Sequence, residues 1–295
     1  MTLHQALERY LPRLDETLRN ILVPSSDEFK SFYGMLHYHQ GWMDEKLRPT
    51  TANTGKRIRP ALCLLCCEGC GAGFERALPL AAAIELLHSF SLVHDDIQDH
   101  STVRRHRPTV WSVWGQAQAI NVGDALYAVA HSALYHLQGS CEPDLILRLA
   151  SAFDETCLRL CEGQYLDIAF ESRQAVSKEA YDIMIGGKTA ALIAFSAWSG
   201  ALVGGADDAK AERYYQMGRE LGLAFQVQDD ILGIWGKESE TGKSVSSDVV
   251  SAKKALPFLY ALGTLTGDLA AELGNIYAKE KRNADDIQRA RGLIE

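Results

Sequence analysis

The amino-acid sequence predicts an all-α fold in a single domain. Apolar residues recur at intervals of three and four along nearly the whole 295-residue chain, and this spacing places them on one face of a helix. The sequence has no set of alternating β-branched runs joined by hairpin turns. Its 47% hydrophobic and 23% charged residues are typical of globular proteins and exclude collagen-like, low-complexity and disordered classes. A chain of this length can bury a large core without disulfides.

The helices follow from the apolar stripes in chain order. The first is predicted over residues 3–22 and the second over 27–47, where several aromatic residues supply the apolar face. Pro60 suits the first position of the third helix, because the N–H that proline lacks is not needed there. The remaining helices are predicted near residues 60–70, 76–99, 113–137, 144–169, 177–202, 208–235, 250–263, 267–280 and 284–294. The polar segments 51–59 and 236–247 are predicted to be loops.

Charge and cysteine content restrict the partners and the compartment. The formal net charge of -8 disfavours a general nucleic-acid binder, whose affinity comes from neutralised phosphates. The N-terminus lacks the apolar run of a signal peptide, and seven cysteines without a secretory context indicate reduced thiols and a cytoplasmic protein. The uncharged stretch 189–206 is as long as a membrane span. Its serines and glycines favour a buried core helix, so no transmembrane segment is expected.

The segment His94–Asp99 reads HDDIQD at the end of an apolar helix. Asp95 and Asp99 are four residues apart, so their carboxylates lie on one helical face. They repel each other near a helix C-terminus, where the helix dipole also disfavours anions. A cation would relieve both penalties, and oxygen ligands suit Mg²⁺. By itself, a solvated acidic helix end explains this motif equally well.

The sequence has two basic segments: one follows the acidic motif, and the other stands at the start of the third helix. Arg104 and Arg105 follow the aspartates, and a guanidinium can donate to two diphosphate oxygens at once. Lys56, Arg57 and Arg59 stand at the start of the third helix, where free N–H groups favour an anion. Together with the carboxylates, these cations indicate a metal–diphosphate site. A charged, solvated loop is the alternative for each segment.

A second acidic motif lies in the apolar helix predicted over 208–235. Gln226, Asp229 and Asp230 fall on neighbouring positions of one face, and carboxylates in apolar surroundings require a partner cation. Lys243 in the following loop and Lys188 at a helix start are candidate phosphate ligands. The Gly-Lys-Thr at 187–189 is not a P-loop, because the upstream glycine of that motif is absent and no strand precedes it.

Two further patterns carry less weight. Cys63, Cys66, Cys67 and Cys70 imitate a zinc signature, but one straight helix cannot surround an ion tetrahedrally, so we expect buried thiols. His94 and Asp95 form a His-Asp pair, the pair after which the all-α HD-type metal phosphohydrolases are named. The further histidine ligands of such a site have no evident candidates in the sequence, so this class remains an outside alternative.

The motifs together resemble the trans-polyprenyl diphosphate synthase family. They run in the expected order from residue 55 to about 262: GKRIRP, LLHSFSLVHDDIQD followed by RR and RPT, GDAL, GKT, FQVQDD, and TGK…SD…KKALP. The resemblance implies a helical bundle around a deep apolar cavity, usually a homodimer. It also implies a Mg²⁺-dependent condensation of isopentenyl diphosphate with an allylic diphosphate. In that reaction Mg²⁺ neutralises the departing diphosphate, and a dry cavity protects the allylic cation from water.

The resemblance also implies a role for each matching residue. The implied Mg²⁺ ligands, for up to three ions, are Asp95, Asp99 and Asp229. The implied catalytic group is Asp95, Asp96, Asp99, Lys188, Asp229 and Asp230. The implied contacts of the allylic diphosphate are Arg104, Lys188, Thr189, Gln226 and Lys243. The implied contacts of isopentenyl diphosphate are Lys56, Arg59, His88 and Arg105.

The chain departs from the family pattern at two places. Gly233 stands where many members have a third aspartate in the second motif, so one carboxylate is missing there. The sequence ends soon after KKALP, so we expect the domain to lack the last C-terminal helices of the family.

Product length is implied by the first acidic helix. Phe90 lies five residues before Asp95, about 7.5 Å along the helix axis, and the small Ser91 follows it. In the family, a bulky residue at the position of Phe90 closes the floor of the cavity. This implies a short product, with C20 favoured and C15 next.

Two alternatives share parts of this pattern. A class I terpene cyclase needs no second diphosphate site, so Lys56, Arg59 and Arg105 favour chain elongation over cyclisation. A non-catalytic subunit of a heteromeric prenyl synthase would be supported by loss of the acidic motifs. Here the first motif is complete and the second is partial.

Overall fold

The computed structural model of the chain describes residues 2–173, 175–236 and 247–295, and it confirms the all-α fold. Its α-helices are α1 (Leu3–Ile21), α2 (Lys30–His39), α3 (Ile58–Gly69), α4 (Leu78–Gln98), α5 (Val110–Trp114), α6 (Gln116–Leu134), α7 (Pro143–Glu171), α8 (Lys178–Ile185), α9 (Ala191–Val203), α10 (Asp208–Trp235), α11 (Ser247–Val250), α12 (Leu256–Thr264), α13 (Asp268–Ala278) and α14 (Ala284–Ile294). Short 3₁₀ turns are Asp27–Phe29, Phe74–Ala77 and Tyr135–Leu137, and a π-helical turn, Gly186–Ala190, lies between α8 and α9. A small antiparallel hairpin pairs β1 (Val103–Arg104) with β2 (Arg107–Pro108).

The chain divides into two compact units. The first comprises the residues up to Cys157 together with Leu192–Gly218, and the second comprises Leu158–Ala191 together with Arg219–Glu295. The first unit therefore holds α1–α6 and α9, the second holds α8 and α11–α14, and α7 and α10 contribute residues to both. The expectation of a single domain is not tested by this division and stays a prediction.

Helix α4 is the central helix of the first unit and packs against α3 and α6. It is apolar almost all round, as expected for a helix that is covered on every side. The segment Phe74–Gln98 is the one part of the described chain long and apolar enough to span a membrane, and 67% of its apolar window is buried. A buried core helix can have the same length and apolar composition as a membrane span. The uncharged stretch 189–206 is also core as predicted, because α9 buries Ala194 and Phe195.

The second unit has its own apolar clusters. One lies around Phe258 and Tyr277, whose rings stack at 3.9 Å between centroids. Another contains Phe170, Tyr181 and Met184, which lie on α7 and α8. These clusters pack against α8 and the C-terminal half of α10, which carries the second acidic motif.

The prediction of one helix over 27–47 was wrong beyond His39. The chain leaves α2 through Gly41, whose φ is +79°, and a Cβ there would lie 2.8 Å from Thr54 Cγ2. Asp44 then forms a turn by accepting the backbone N–H groups of Lys46 and Arg48. The turn residues compete successfully with a helical pattern that the aromatic spacing alone suggested.

Other helix boundaries also differ from the prediction. Helix α3 begins at Ile58, two residues before Pro60, which still lies in the first turn, where a missing N–H costs nothing. Gly115, with φ of +83°, separates α5 from α6 within the predicted 113–137 helix. The helix predicted from residue 250 begins at Leu256. The thiols of Cys63, Cys66 and Cys67 are buried as predicted, whereas Cys70, at the end of α3, is only half-buried.

Candidate active site

The first acidic motif lies at the C-terminal end of α4 in the first unit. Asp99 caps the helix and is exposed, and Asp95 is half-buried, whereas Asp96 is only 2% exposed. Arg104 on β1 donates from Nε to Asp96 Oδ1 at 2.8 Å. Burial raises the pKa of Asp96 to about 6, although Arg104 beside it acts to lower the pKa. Asp96 therefore positions Arg104, while Asp95 and Asp99 lie closer to solvent.

The hairpin β1–β2 presents the arginines that follow the motif. Arg105 and His106 form its turn with φ of 52° and 62°, a backbone conformation that costs energy for residues other than glycine. The Arg105 guanidinium donates to Thr54 O and lies directly over Gly55, where a Cβ would be 2.7 Å from Arg105 Nη2. Arg107 anchors the hairpin by donating to Met43 O at 2.7 Å.

Three of the four residues implied to bind isopentenyl diphosphate (Arg59, His88 and Arg105) belong to a half-buried cationic cluster. Arg59 Nη1 lies 3.3 Å from His88 Nε2, and since arginine can only donate, His88 accepts through Nε2. Burial lowers the pKa of His88 well below its usual range, and Arg59 lowers it further. Burial also lowers the pKa of Arg59 to about 10. Lys56, which precedes Arg57 in the chain, is exposed.

Two carboxylates that the sequence reasoning missed share the cluster. Glu85 on α4 is 3% exposed, and its Oε1 lies 3.6 Å from Arg57 Nε. Arg57 also donates to Asp15 Oδ1 at 3.0 Å. Burial raises the pKa of Glu85, and Arg57, Arg105 and Arg59 oppose this rise.

The cluster thus has three guanidiniums, those of Arg57, Arg59 and Arg105, against the carboxylates of Glu85 and Asp15. Among the described residues, Arg59 Nε has no hydrogen-bond partner. A half-buried cation whose Nε is closed off from solvent and unpaired fits an anionic ligand. The signal that could have revealed Glu85 is its position as a single charge in the apolar run of α4, because a buried charge requires partners.

The residues implied to set product length belong to an aromatic cluster between α4 and α6. The ring of Phe90 lies 4.8 Å from His94 and 5.1 Å from Tyr127, measured between centroids. Ser91 donates its hydroxyl to the backbone carbonyl of His88 at 2.9 Å. Gly123 of the GDAL motif allows this packing, because a Cβ there would overlap the His94 imidazole. Tyr127, whose ring packs against Phe90, is a residue that the sequence reasoning missed.

In the second unit, the π-helical turn carries Lys188. Its ammonium forms an ion pair with the carboxylate of Asp167 on α7. The backbone of the turn runs so close to α7 that a Cβ on Gly163 would lie 2.8 Å from the carbonyl carbon of Gly187. The π-helical turn and Gly163 together hold Lys188 at a fixed place, and such turns are frequent at functional sites.

The second acidic motif is tied to the π-helical turn by a chain of hydrogen bonds. Thr189 Oγ1 donates to Gln226 Oε1 at 2.6 Å, and Gln226 Nε2 donates to Asp230 Oδ1 at 2.9 Å. Asp230 is 1% exposed and also accepts from the Tyr181 hydroxyl at 2.5 Å and the Leu256 N–H at 3.0 Å. Burial raises the pKa of Tyr181, and Asp230 adds to this effect. Asp230 is therefore a structural acceptor.

Lys253 is a further cation that the sequence reasoning did not assign. Its Nζ lies 3.7 Å from Asp230 Oδ1. Burial acts to lower the pKa of Lys253, but the carboxylates of Asp167, Asp248 and Asp230 outweigh burial and hold the pKa above its usual range. The lysine pair of KKALP was visible in the sequence, but its approach to the aspartates depends on the fold.

The two acidic motifs share one arrangement. In each, the second aspartate (Asp96 or Asp230) is buried and hydrogen-bonded, while Asp99 and Asp229 are exposed. Within the described parts of the chain, no group of three or more His, Cys, Asp or Glu side chains is placed to hold a metal. The donor set nevertheless fits Mg²⁺, which binds through one or two carboxylates and takes its other ligands from water and substrate phosphates. Lys243 lies outside the described residues.

Comparisons with known proteins agree with these motifs. The family model described as Polyprenyl synthetase matches residues 40–294. A (2E,6E)-farnesyl diphosphate synthase of Mycobacterium tuberculosis is 43% identical over 264 residues, covering 88% of this chain and 72% of that protein. A geranylgeranyl diphosphate synthase of the same organism is 41% identical over 261 residues, covering 88% of this chain and 73% of that protein.

Solved structures show the same fold. A polyprenyl synthetase from Streptomyces coelicolor A3(2) superposes with a TM-score of 0.89 at 38% sequence identity, covering 99% of this chain and 86% of that one. A geranylgeranyl pyrophosphate synthetase from Pyrococcus horikoshii superposes with a TM-score of 0.86 at 31% identity, with coverage of 99% and 85%.

Proposed function

Because the chain belongs to the polyprenyl synthetase family, it is a trans-prenyltransferase, and we propose that it condenses isopentenyl diphosphate with an allylic diphosphate. The proposed product is a short trans-prenyl diphosphate, C20 in preference to C15. The match of one family model to residues 40–294 carries this proposal. Relatives that are named as farnesyl and geranylgeranyl diphosphate synthases, at 43% and 41% identity, support the short product.

In the proposed reaction, the cationic cluster of the first unit binds isopentenyl diphosphate. Arg59 and Arg105 bind its phosphate oxygens, His88 holds Arg59 in place, and Lys56 contacts the ligand from the exposed edge. The unpaired Nε of Arg59 and the excess of guanidiniums over carboxylates support this role. A cyclase needs no second diphosphate site, so the cluster favours elongation over the terpene cyclase alternative.

The allylic diphosphate is proposed to bind Mg²⁺ held by Asp95, Asp99 and Asp229, with up to three ions in all. Prenyl diphosphate synthases are generally Mg²⁺-dependent, and the metal supplies charge neutralisation of the departing diphosphate. Asp96 and Asp230 position the residues around them through the hydrogen bonds described above. The cations proposed to contact the allylic diphosphate are Arg104, Lys188 and Lys243, joined by Thr189 and Gln226.

The bond changes follow from these positions. The carbon–oxygen bond of the allylic diphosphate breaks, and diphosphate leaves with the electron pair. The alkene of isopentenyl diphosphate then donates its electrons to the allylic cation, and a proton is lost to restore the double bond. The protein's part is to hold both diphosphates, neutralise the leaving group and keep water from the cation.

Phe90 is proposed to close the floor of the chain-binding cavity. Its contacts with His94 and Tyr127 hold the ring in place, so a growing chain would meet a fixed aromatic wall. The chain is further proposed to act as a cytoplasmic homodimer whose single domain binds no nucleic acid and has no transmembrane segment.

One incubation separates elongation from the alternatives. The protein is mixed with Mg²⁺ and, in separate tubes, the C5, C10 or C15 allylic diphosphate, each with and without isopentenyl diphosphate. Elongation predicts that an allylic diphosphate is consumed only when isopentenyl diphosphate is present. Consumption of an allylic diphosphate alone, with release of a cyclic hydrocarbon, would support a cyclase. No turnover in any tube, with folded protein, would support a non-catalytic subunit.

A further inference from the structure

The segment that carries Lys56 and Arg59 is held at both ends within the first unit. At one end, the Arg105 guanidinium lies over Gly55. At the other end, Arg59 Nη1 lies 3.3 Å from His88 Nε2. The direction in which the two cations point therefore depends on the path of the backbone between these ends.

Arg57, in the middle of this segment, has a backbone conformation that residues other than glycine rarely adopt. Its φ of 44° and ψ of 41° lie in the left-handed region, which costs energy for a residue with a Cβ. The chain nevertheless starts α3 from this residue. Because the local sterics oppose this conformation, contacts from other elements must hold it.

The side chain of Arg57 provides these contacts. It is 3% exposed, its Nη1 donates to Asp15 Oδ1 on α1 at 3.0 Å, and its Nε lies 3.6 Å from Glu85 Oε1 on α4. Asp15 is itself fixed, because it also accepts from Trp42 Nε1 at 2.9 Å and from Arg19 Nε at 3.0 Å. The Arg57 guanidinium thus joins the start of α3 to α1 and α4.

Two roles are open to this guanidinium: orienting its neighbours or binding the diphosphate itself. Its Nη2 makes no hydrogen bond among the described residues, which is the observation in favour of binding. Arg57 is buried, however, whereas Lys56 is exposed and Arg59 is half-buried. If it turned away to a ligand, Asp15 and Glu85 would each lose a counter-charge, and a buried carboxylate without one is costly. Burial and these ion pairs favour orientation.

We propose that Arg57 is a positioning residue of the isopentenyl diphosphate site. Its side chain, held between Asp15 and Glu85, fixes the backbone of the segment. Lys56 and Arg59 reach the ligand from that backbone. This inference rests on the proposed function for the identity of the ligand. Helix α1 then takes part in substrate binding through Asp15, although it supplies no residue that is proposed to touch the substrate.

The test is steady-state kinetics with isopentenyl diphosphate varied at saturating Mg²⁺ and geranyl diphosphate, followed by the reverse titration. Geranyl diphosphate is the C10 primer, which a synthase with either a C15 or a C20 product elongates. We expect Arg57→Met to raise the KM for isopentenyl diphosphate about tenfold or more, because misplaced contacts weaken binding. The KM for geranyl diphosphate should stay at its wild-type value.

Asp15→Asn separates positioning from direct binding, because the two roles predict opposite signs. If Arg57 positions the segment, loss of the Asp15 charge loosens the hold and raises the KM for isopentenyl diphosphate. If Arg57 binds the diphosphate, removal of a competing carboxylate frees the guanidinium and lowers this KM. Arg19→Met is the matched control, because Arg19 also donates to Asp15 but lies outside the segment. It should leave both KM values unchanged.

Arg57→Gly separates the side chain from the backbone. Glycine adopts the left-handed conformation without strain, so this variant allows the same backbone path but removes the anchor. We expect its KM for isopentenyl diphosphate to rise as in Arg57→Met. Should Arg57→Met fail to fold, Arg57→Gly and Asp15→Asn still give the comparison.

A wild-type KM for isopentenyl diphosphate in folded Arg57→Met or Arg57→Gly would overturn the inference, and so would an unchanged or lower KM in Asp15→Asn. Failure of the proposed function is recognised by a second measurement, the rise in thermal unfolding temperature on adding isopentenyl diphosphate. A rise in wild type that is smaller in Arg57→Met, together with no elongation of any primer, would contradict the proposed function alone. Equal rises in both proteins would contradict the positioning role, and no rise and no turnover in wild type would contradict both.

Discussion

His39 should make the folded protein sensitive to acid. It ends α2 in the first unit, and its Nε2 is closed off from solvent with no hydrogen-bond partner among the described residues. Burial lowers the pKa of His39 from 6.5 to about 3, and Arg105, Arg104 and Arg107 add to this effect. The neutral imidazole keeps a further positive charge away from the arginines proposed to bind isopentenyl diphosphate.

The sign and size of the effect follow from these two pKa values. Below pH 6.5 the unfolded chain binds a proton at His39 that the folded protein does not bind, so the free energy of unfolding falls as the pH falls towards 3. Each unit of pKa difference is about 1.4 kcal/mol. Between pH 7 and pH 4.5, His39 should therefore remove about 3 kcal/mol of stability.

The assay compares wild type, His39→Gln and His4→Gln by urea unfolding at pH 7 and pH 4.5 in the absence of metal. His4 is an exposed histidine of α1, so His4→Gln is the control and should lose as much stability as wild type. His39→Gln should lose about 3 kcal/mol less than wild type. Equal losses in all three proteins would show that His39 is protonated in the folded state at pH 4.5 and would contradict the prediction.

Three further variants test the first unit. Glu85→Gln removes one of the two carboxylates that face the buried Arg57, so urea unfolding at pH 7 should show a loss of about 3 kcal/mol. Gly123→Ala places a methyl group against His94 and should cost about 1–3 kcal/mol in the same assay, because overpacking strains a filled core. Phe90→Ala removes a ring about the size of one isoprene unit, so mass spectrometry should show a product longer by one unit. Adding Tyr127→Ala should lengthen it further.

For each of these variants, one result would contradict the predicted effect. Unfolding of Glu85→Gln at the wild-type urea concentration would mean that the carboxylate does not stabilise the arginines. In a His94→Ala background, Gly123→Ala should no longer lower stability. If it still does, the added methyl group clashes with a residue other than His94. Tyr135→Ala, at an exposed tyrosine, is the control for product length. An unchanged product from Phe90→Ala would remove Phe90 from the cavity floor.

Much of the fold was predictable because helical spacing is a local property. The stripe of α4 and the aspartates at its end are read from neighbours three and four residues apart, and the structure agrees with both. The length of α2 was not predictable in this way. Gly41 leaves the helix because the segment near Thr54 packs against it, which is a contact between residues distant in sequence.

The candidate site shows the same division. Motifs identified Arg59, His88 and Asp230, but which of them are buried and which neighbours they contact required the fold. Glu85 and Lys253 were missed because their partners come from other elements. Gly233 was read as a missing carboxylate, and only the position of Asp248 shows that the space is filled.

We propose above that this chain elongates an allylic diphosphate to a short product. The most direct test incubates the wild-type protein with Mg²⁺, isopentenyl diphosphate and, in separate tubes, the C5, C10 or C15 allylic diphosphate, and measures the chain length of each product by mass spectrometry. We expect the tubes with productive primers to converge on one short trans-prenyl diphosphate, C20 in preference to C15. Long polyprenyl products, or no condensation with any primer, would contradict it.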